Sequence, residues 1–175
     1  PVNLCMRQPD RHAPLTKRPL TLRASRPLVA DAHRTAVRSD TQGQSVLLVE
    51  DNPVNQTVIE AMLRSLGYRV TLVADGIQAV RSAERQRYDA ILLDVDNGPD
   101  GLTAAANDRL YSRAGLQTAK AALKPGGILA VWSAGSDDVF ANRLRNAGFL
   151  VDEVAVKARD NGKGPRHVIW FALKR

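Results

Sequence analysis

Cysteine is nearly absent: Cys5 stands alone, so neither an internal disulfide nor a cysteine-based zinc cluster can form. No apolar run approaches the roughly 18 residues of a membrane span, and no secretory signal pattern opens the chain. The reducing cytoplasm is therefore the expected compartment. Aromatic residues make up only 5% of the chain, too few for a stacking platform on single-stranded nucleic acid. The first residue, Pro1, is not an initiator, as expected of a fragment or a processed chain. What is present is ordinary: 175 residues, 44% hydrophobic and 25% charged, the mixture of one soluble globular domain.

The net charge of +7 invites a nucleic-acid reading, but its distribution argues otherwise. Residues 1–44 hold Lys17 and seven arginines against Asp10, Asp31 and Asp40, a balance of +5. Only +2 is left for residues 45–175, so no basic face is expected on the domain and nucleic acid is not an expected partner. The first 44 residues show no helical or strand period, and Pro9, Pro14, Pro19 and Pro27 interrupt them. Such a segment buries too little apolar surface to offset its ordering entropy, and it reads as a basic, proline-rich, flexible arm or linker.

At Ser45 the pattern changes. Ser45–Glu50 (SVLLVE) is a continuous apolar run, as in a strand buried on both faces. Asn52 and Pro53 suit the N-cap and first position of a helix. Val54, Val58, Met62 and Leu66 give that helix one apolar face, expected to turn inward, and Gly67 suits its end. Strands follow at Tyr68–Val73 and Asp89–Asp94, around a helix with Ile77, Val80 and Ala83 inward. Ser112 can cap a helix reaching Leu123, and Pro125-Gly126-Gly127 reads as the turn that stops it. Ile128–Ser133 is the fourth strand, and Asp137–Ala147 a helix with Phe140 and Leu144 inward. The strands Phe149–Lys157 and His167–Leu173 are joined by too few residues for a helical crossover, so they form an antiparallel pair. The spacing predicts an α/β domain over 45–175, an open three-layer α/β/α sandwich of flavodoxin-like or Rossmann-like type. The expected order is 2-1-3-4-6-5, mostly parallel, with strand six antiparallel.

In such a sheet ligands sit beyond the carboxyl ends of the strands. Glu50 and Asp51 end the first strand and Asp94 the third, so three carboxylates are expected to converge. Like charges that close are costly without a cation among them. An all-oxygen set suits a hard ion, Mg²⁺ above all, with Asp96 as a further candidate ligand. The chemistry that follows is phosphoryl transfer to one carboxylate. Other polar features read as structural. Trp132 and Trp170 lie on strands and are expected in the core. His167 opens an edge strand without a second ligand nearby, and neither Ser112 nor Ser133 has a histidine partner for a hydrolase triad.

Val46–Asn55 (VLLVEDNPVN), Gly67–Val70 (GYRV), Ala74-Asp75-Gly76 and Tyr88–Val95 (YDAILLDV) resemble the receiver domains of two-component signalling, especially those of hybrid sensor kinases. The resemblance covers residues 45–95. It implies a non-enzymatic phosphorelay module in which Glu50 and Asp51 hold Mg²⁺ and Asp94 accepts phosphate from a histidine kinase or phosphotransfer protein. It also implies a Ser/Thr ending strand four and a Lys ending strand five, places taken here by Ser133 and Lys157. The segment from Asp94 to Ser133 is longer than in that family, and no Lys-Pro follows strand five. Residues 88–175 instead resemble the C-terminal half of spermidine-synthase-like, methyltransferase-type Rossmann proteins. The carrying features are Tyr88–Pro99 (YDAILLDVDNGP), Asn107–Ser112 (NDRLYS), Leu123–Gly127 (LKPGG) and Arg166–Ile169 (RHVI). That resemblance implies substrate contacts at Asp94, Asp96 and Tyr111. The Gly-rich nucleoside loop is missing after strand one, so an aminopropyltransferase or methyltransferase of this form is expected to be inactive. Tyr88–Val95 is common to both families and reads as a splice point. A folded chimera without function is the third reading.

Overall fold

The short apolar runs predicted from the sequence form a six-stranded sheet. The computed structural model describes residues 41–95, Pro99, 105–157 and 166–175. The elements are β1 (Ser45–Glu50), α1 (Pro53–Ser65), β2 (Arg69–Val73), α2 (Gly76–Arg85), β3 (Tyr88–Asp94), α3 (Ala105–Tyr111), α4 (Arg113–Ala122), β4 (Leu123–Ser133), α5 (Asp138–Asn146), β5 (Phe149–Lys157) and β6 (Arg166–Lys174). Their order in the sheet is β2-β1-β3-β4-β6-β5, and β6 runs antiparallel to both neighbours, as expected. The remaining pairings are parallel. Among the described residues no helix is long and apolar enough to cross a membrane.

Helix starts follow the sequence closely. Asn52 Oδ1 accepts from the backbone N–H of Val54 at 2.9 Å, and Asp75, Ser112 and Asp137 cap α2, α4 and α5 in the same way. Most of the proposed arm lies outside the described residues. Its last four residues, however, are bonded to the domain: Thr41 donates its hydroxyl to Leu66 O at 2.7 Å, and the N–H of Gly43 bonds Gly67 O at 2.9 Å.

The two faces of the sheet are covered unequally. One packs beneath α2, α3, α4 and α5 in a single apolar core, which joins Leu47, Ile91, Leu129 and Ala172 of the sheet to Leu116, Phe140 and Leu144 of the helices. Phe140 is its hub, meeting Tyr111 edge-on at 5.8 Å and Trp170 at 5.1 Å between ring centroids. Among the described residues the other face carries α1 alone, which rests on β1 and β2.

That imbalance corrects the expected orientation of α1. Val54, Val58, Met62 and Leu66 are 53–69% exposed. The half-buried residues of α1 are Gln56, Ile59, Glu60 and Leu63, nearly the opposite side of the helix. An apolar stripe is buried only where a second surface receives it, and no described helix lies beside α1. Ile77 is likewise 50% exposed rather than inward. Trp170 is fully buried as expected, whereas Trp132 is only half-buried on the thinly covered face.

A second correction concerns Pro125-Gly126-Gly127. β4 begins at Leu123 and runs through these residues as a bulge, its register against β3 jumping from Tyr88↔Leu123 to Ala90↔Ile128. Gly126 takes a φ of +74°, and a Cβ on Gly127 would lie 3.0 Å from Asp89 O. At the same edge Asp89 Oδ2 accepts from Ser45 N at 2.7 Å and from Lys124 Nζ at 2.7 Å, tying β1, β3 and β4 together. Burial raises the Asp89 pKa, but the bonds from Lys124 and Ser45 outweigh it and hold the carboxyl below its ordinary value.

The asymmetric core sets an expectation for stability. Phe140→Ala should cost about 3–5 kcal/mol in urea unfolding, whereas Val58→Lys on the exposed stripe should change stability by no more than about 0.5 kcal/mol. A large loss from the second substitution would show that the α1 stripe is packed.

Candidate acidic site at the carboxyl edge of the sheet

The parallel pairing of β1 with β3 puts Glu50 and Asp94 directly side by side in register. The sequence between them and the cap at Asn52 is short, so the chain turns immediately over Glu50. Its Oε1 accepts the backbone N–H of Asn52 at 2.9 Å and the Asn55 amide at 3.4 Å, and Gln56 donates to its carbonyl at 2.7 Å. Glu50 is 1% exposed, and its Oε2 is buried without a hydrogen-bond partner.

The electrostatics follow from this arrangement. Burial pushes the Glu50 carboxyl up to about 7; the Asn52 N–H opposes that shift and the neighbouring Asp94 charge adds to it. Asp94 is raised too, by burial first and then by repulsion from Asp51, while Glu50 and His167 pull it down. The two carboxyls titrate as a pair. Asp51 is exposed and acts on Asp94 through its charge. Among the described residues no three of His, Cys, Asp and Glu are gathered to hold a metal together. Asp96 lies outside the described residues.

The other predicted residues are placed elsewhere. Ser133 ends β4, but side chains alternate along a strand, which sets it with the buried Leu129 and Val131 on the face opposite Asp94 and Trp132. Its hydroxyl accepts Gly135 N–H at 3.4 Å. Lys157 ends β5, three strands from β3 and so roughly 14 Å away across the sheet; its side chain lies outside the described residues. Tyr111 is buried in the core and donates its hydroxyl to Val95 O at 3.0 Å, a structural role. Asn107, from the same motif, accepts Gly76 N–H at 3.0 Å and anchors the start of α2.

β6 lies between β4 and β5 and is not the edge strand expected from the sequence, and His167 at its start takes a place near the acids that the sequence reading missed. Because β6 is antiparallel, its first residues lie at the carboxyl edge of β4, where Ser133 pairs Val168. The His167 ring lies on Trp132 at 4.8 Å, with its Nδ1 buried and without a partner. The expected strand order was the signal that could have found it.

The acid pair fixes a pH dependence. A carboxyl whose pKa is higher folded than unfolded favours the folded state while neutral, so the stability present below about pH 4.5 declines as pH rises through 7. In Mg²⁺-free buffer the unfolding midpoint should fall between pH 5 and 8, and Glu50→Gln should flatten the profile. An equal slope in the variant would assign the dependence to other groups.

Residues 46–108 match the response regulator receiver domain. Probable histidine kinase 1 of Oryza sativa subsp. indica is 41% identical over 71 residues, 40% of this chain, which spans 7% of the kinase. The receiver domain of a sensor histidine kinase from Pseudomonas aeruginosa, solved with magnesium coordinated in its active site cleft, is 66% identical over 43% of this chain and 54% of that one, with a TM-score of 0.34. Human methyltransferase-like protein 13, solved with SAH, matches 84% of this chain and 81% of that one at 16% identity and a TM-score of 0.55. Residues 46–108 thus carry the response regulator receiver signature of two-component systems, set in an α/β sheet of the methyltransferase-type Rossmann fold.

Proposed function

We propose that the domain is a Mg²⁺-binding, receiver-like phosphoacceptor of a two-component phosphorelay, with Asp94 as the acceptor and transfer impaired. The observation that carries this reading is the buried Glu50–Asp94 pair, in register, with Glu50 Oε2 unpartnered. Two hard oxygen ligands of one sign, one of them orphaned, fit an ion that takes one or two carboxylates and fills its remaining positions with water. Glu50 and Asp94 would hold it, with the exposed Asp51 adding charge. Bound there, the cation neutralises charge on the oxygens of a transferring phosphoryl group.

The chain's own residues do the rest. Asn52 and Asn55 hold the Glu50 carboxylate in place, and the cap on α1 fixes Asn52 in turn. Ionised Asp94 attacks phosphorus; the bond from phosphorus to the donor's histidine nitrogen, or to the carboxylate oxygen of acetyl phosphate, breaks as the acyl-phosphate bond forms. Ser133 and Lys157 are the positions that would steady the phosphoryl oxygens; the pleat that turns Ser133 to the other face of β4 and the three-strand step from β3 to β5 support an impaired transfer. Each such contact supplies a few kcal/mol, so transfer should be slower by on the order of 10³. The partner is a histidine kinase or a histidine phosphotransfer protein, met in the cytoplasm. A group-transferase reading has the fold alone in its support. Glu50–Asn55 fills the place after β1 where a Rossmann nucleotide site needs glycines.

A Mg²⁺ titration should shift the Glu50 and Asp94 resonances with weak affinity, and Asp51→Asn should weaken the response further. Mass spectrometry after acetyl phosphate treatment should show slow, incomplete modification at Asp94. Rapid, complete modification would refute the impairment, and unmoved resonances would remove the site.

A further inference from the structure

Two surfaces on the thin side of the sheet complement each other. The first is the outward side of α1, where Val54, Val58, Met62 and Leu66 are exposed. Thr57, Ala61 and Ser65, exposed beside them, are uncharged. The helix has only two charged side chains, Glu60 and Arg64, and these pair with each other at 2.7 Å. A surface helix ordinarily turns charged and polar groups to water; this one turns an apolar stripe away from its own sheet. The second surface is the sheet beyond α1. Leu92 of β3, Ala130 and Trp132 of β4 and Ile169 of β6 line one cleft, with Ile59 of α1 as its wall. The pairing of Val154 with Ile169 carries the same face onto β5. These strand residues are half-buried, and among the described residues α1 is the one helix on this side. Acids stand at its margins, Asp94 at the carboxyl edge and Asp152 on the outer strand.

We propose that this side is the interface of a two-fold dimer, in which the α1 stripe of each copy lies on the β3–β5 face of the other. A two-fold contact needs a self-complementary surface, and here one surface supplies both the ridge and its seat. The dimensions agree. Six strands at about 4.8 Å span about 24 Å. Two helices side by side, about 10 Å apart, fill about 20 Å of that width. One α1 from each copy therefore completes a single helix layer between two sheets. Each α1 is then buried on both sides, with Ile59 and Leu63 on its own sheet and the stripe on the partner's. The area is also sufficient. The stripe, about 20 Å by 10 Å, and four strands, about 19 Å by 17 Å, present roughly 500 Å² in plane. Side-chain relief raises that toward the roughly 800 Å² per partner of a standard interface. The contact requires neither Mg²⁺ nor phosphoryl transfer.

The test is sedimentation equilibrium of the full chain. The mass should be that of two chains near about 200 μM and approach that of one near about 1 μM, a micromolar constant for an interface of this size. Trp170 is fully buried, so acrylamide quenching reads Trp132 in the cleft and should fall as the dimer forms. Val58→Lys combined with Met62→Lys charges the stripe at two exposed positions, so the single chain still folds. It should raise the dissociation constant by at least about 100-fold. The small effect of Val58→Lys on stability holds for the dilute single chain. At high concentration the unmodified chain gains stability by mass action and the double variant does not. Val139→Lys, equally exposed on α5 across the sheet, should leave the dimer intact. The mass of one chain at every concentration would overturn the proposal, whether Trp132 is then open to acrylamide or shielded by another part of its own chain. So would a dimer that survives both stripe lysines or that Val139→Lys dissolves.

Discussion

Much of this structure depends on how few residues separate β5 from β6. Eight residues cannot hold a crossover helix, so β6 must return antiparallel, and it does so between β4 and β5. From that insertion follow three features of the carboxyl edge. It moves β5, and Lys157 with it, one strand further from β3. It brings the first residues of β6, His167 among them, to the edge where β1 and β3 deliver their acids. It also lays Ile169 and Phe171 beside Ala130 and Trp132, which widens the apolar face beyond the reach of α1.

The acid pair itself comes from a different constraint, the in-register parallel pairing of β1 and β3. Parallel neighbours place equivalent positions side by side, so two strands that both end in a carboxylate must face those carboxylates together. An antiparallel pairing would have sent Glu50 and Asp94 to opposite edges. The energetic cost shows in the raised Glu50 and Asp94 carboxyls, and it persists because Asn52 and Asn55 satisfy only one of the two Glu50 oxygens. Perturbed carboxyls of this kind cluster at functional sites. The cost is also relieved by what the proposed function supplies, a cation.

Much of the sheet was legible because its strands are short apolar runs bounded by caps and glycines. β1 has the expected bounds, and β2 and β3 each differ by one residue at the start. Asn52, Asp75, Ser112 and Asp137 all cap helices through their side chains. What stayed hidden depends on tertiary neighbours. The stripe of Val54, Val58, Met62 and Leu66 has a helical period whether or not anything packs on it, so periodicity alone could not reveal its exposure. The Pro125-Gly126-Gly127 bulge reads as a turn because the local signals for a turn and for a bulge are the same residues. Asp94 and Glu50 were legible as a pair, whereas the placement of Ser133 required the pleat of β4 to be known.

β3 is the most interchangeable strand of the sheet. It is central, parallel to both neighbours and apolar along its length; Ile91 and Leu93 serve the thick core, while Leu92 faces the side of α1. Its neighbours need from it only that alternation and a carboxylate at its end. A central parallel strand is specified by burial more than by particular partners, so β1 and β4 can pair with it on either side without loss of register. The layers over the two faces are not interchangeable in this way. Helices α3, α4 and α5 cover the side they share with α2. Among the described residues the side of α1 carries one helix for six strands, and the exposed stripe on α1 follows from that deficit.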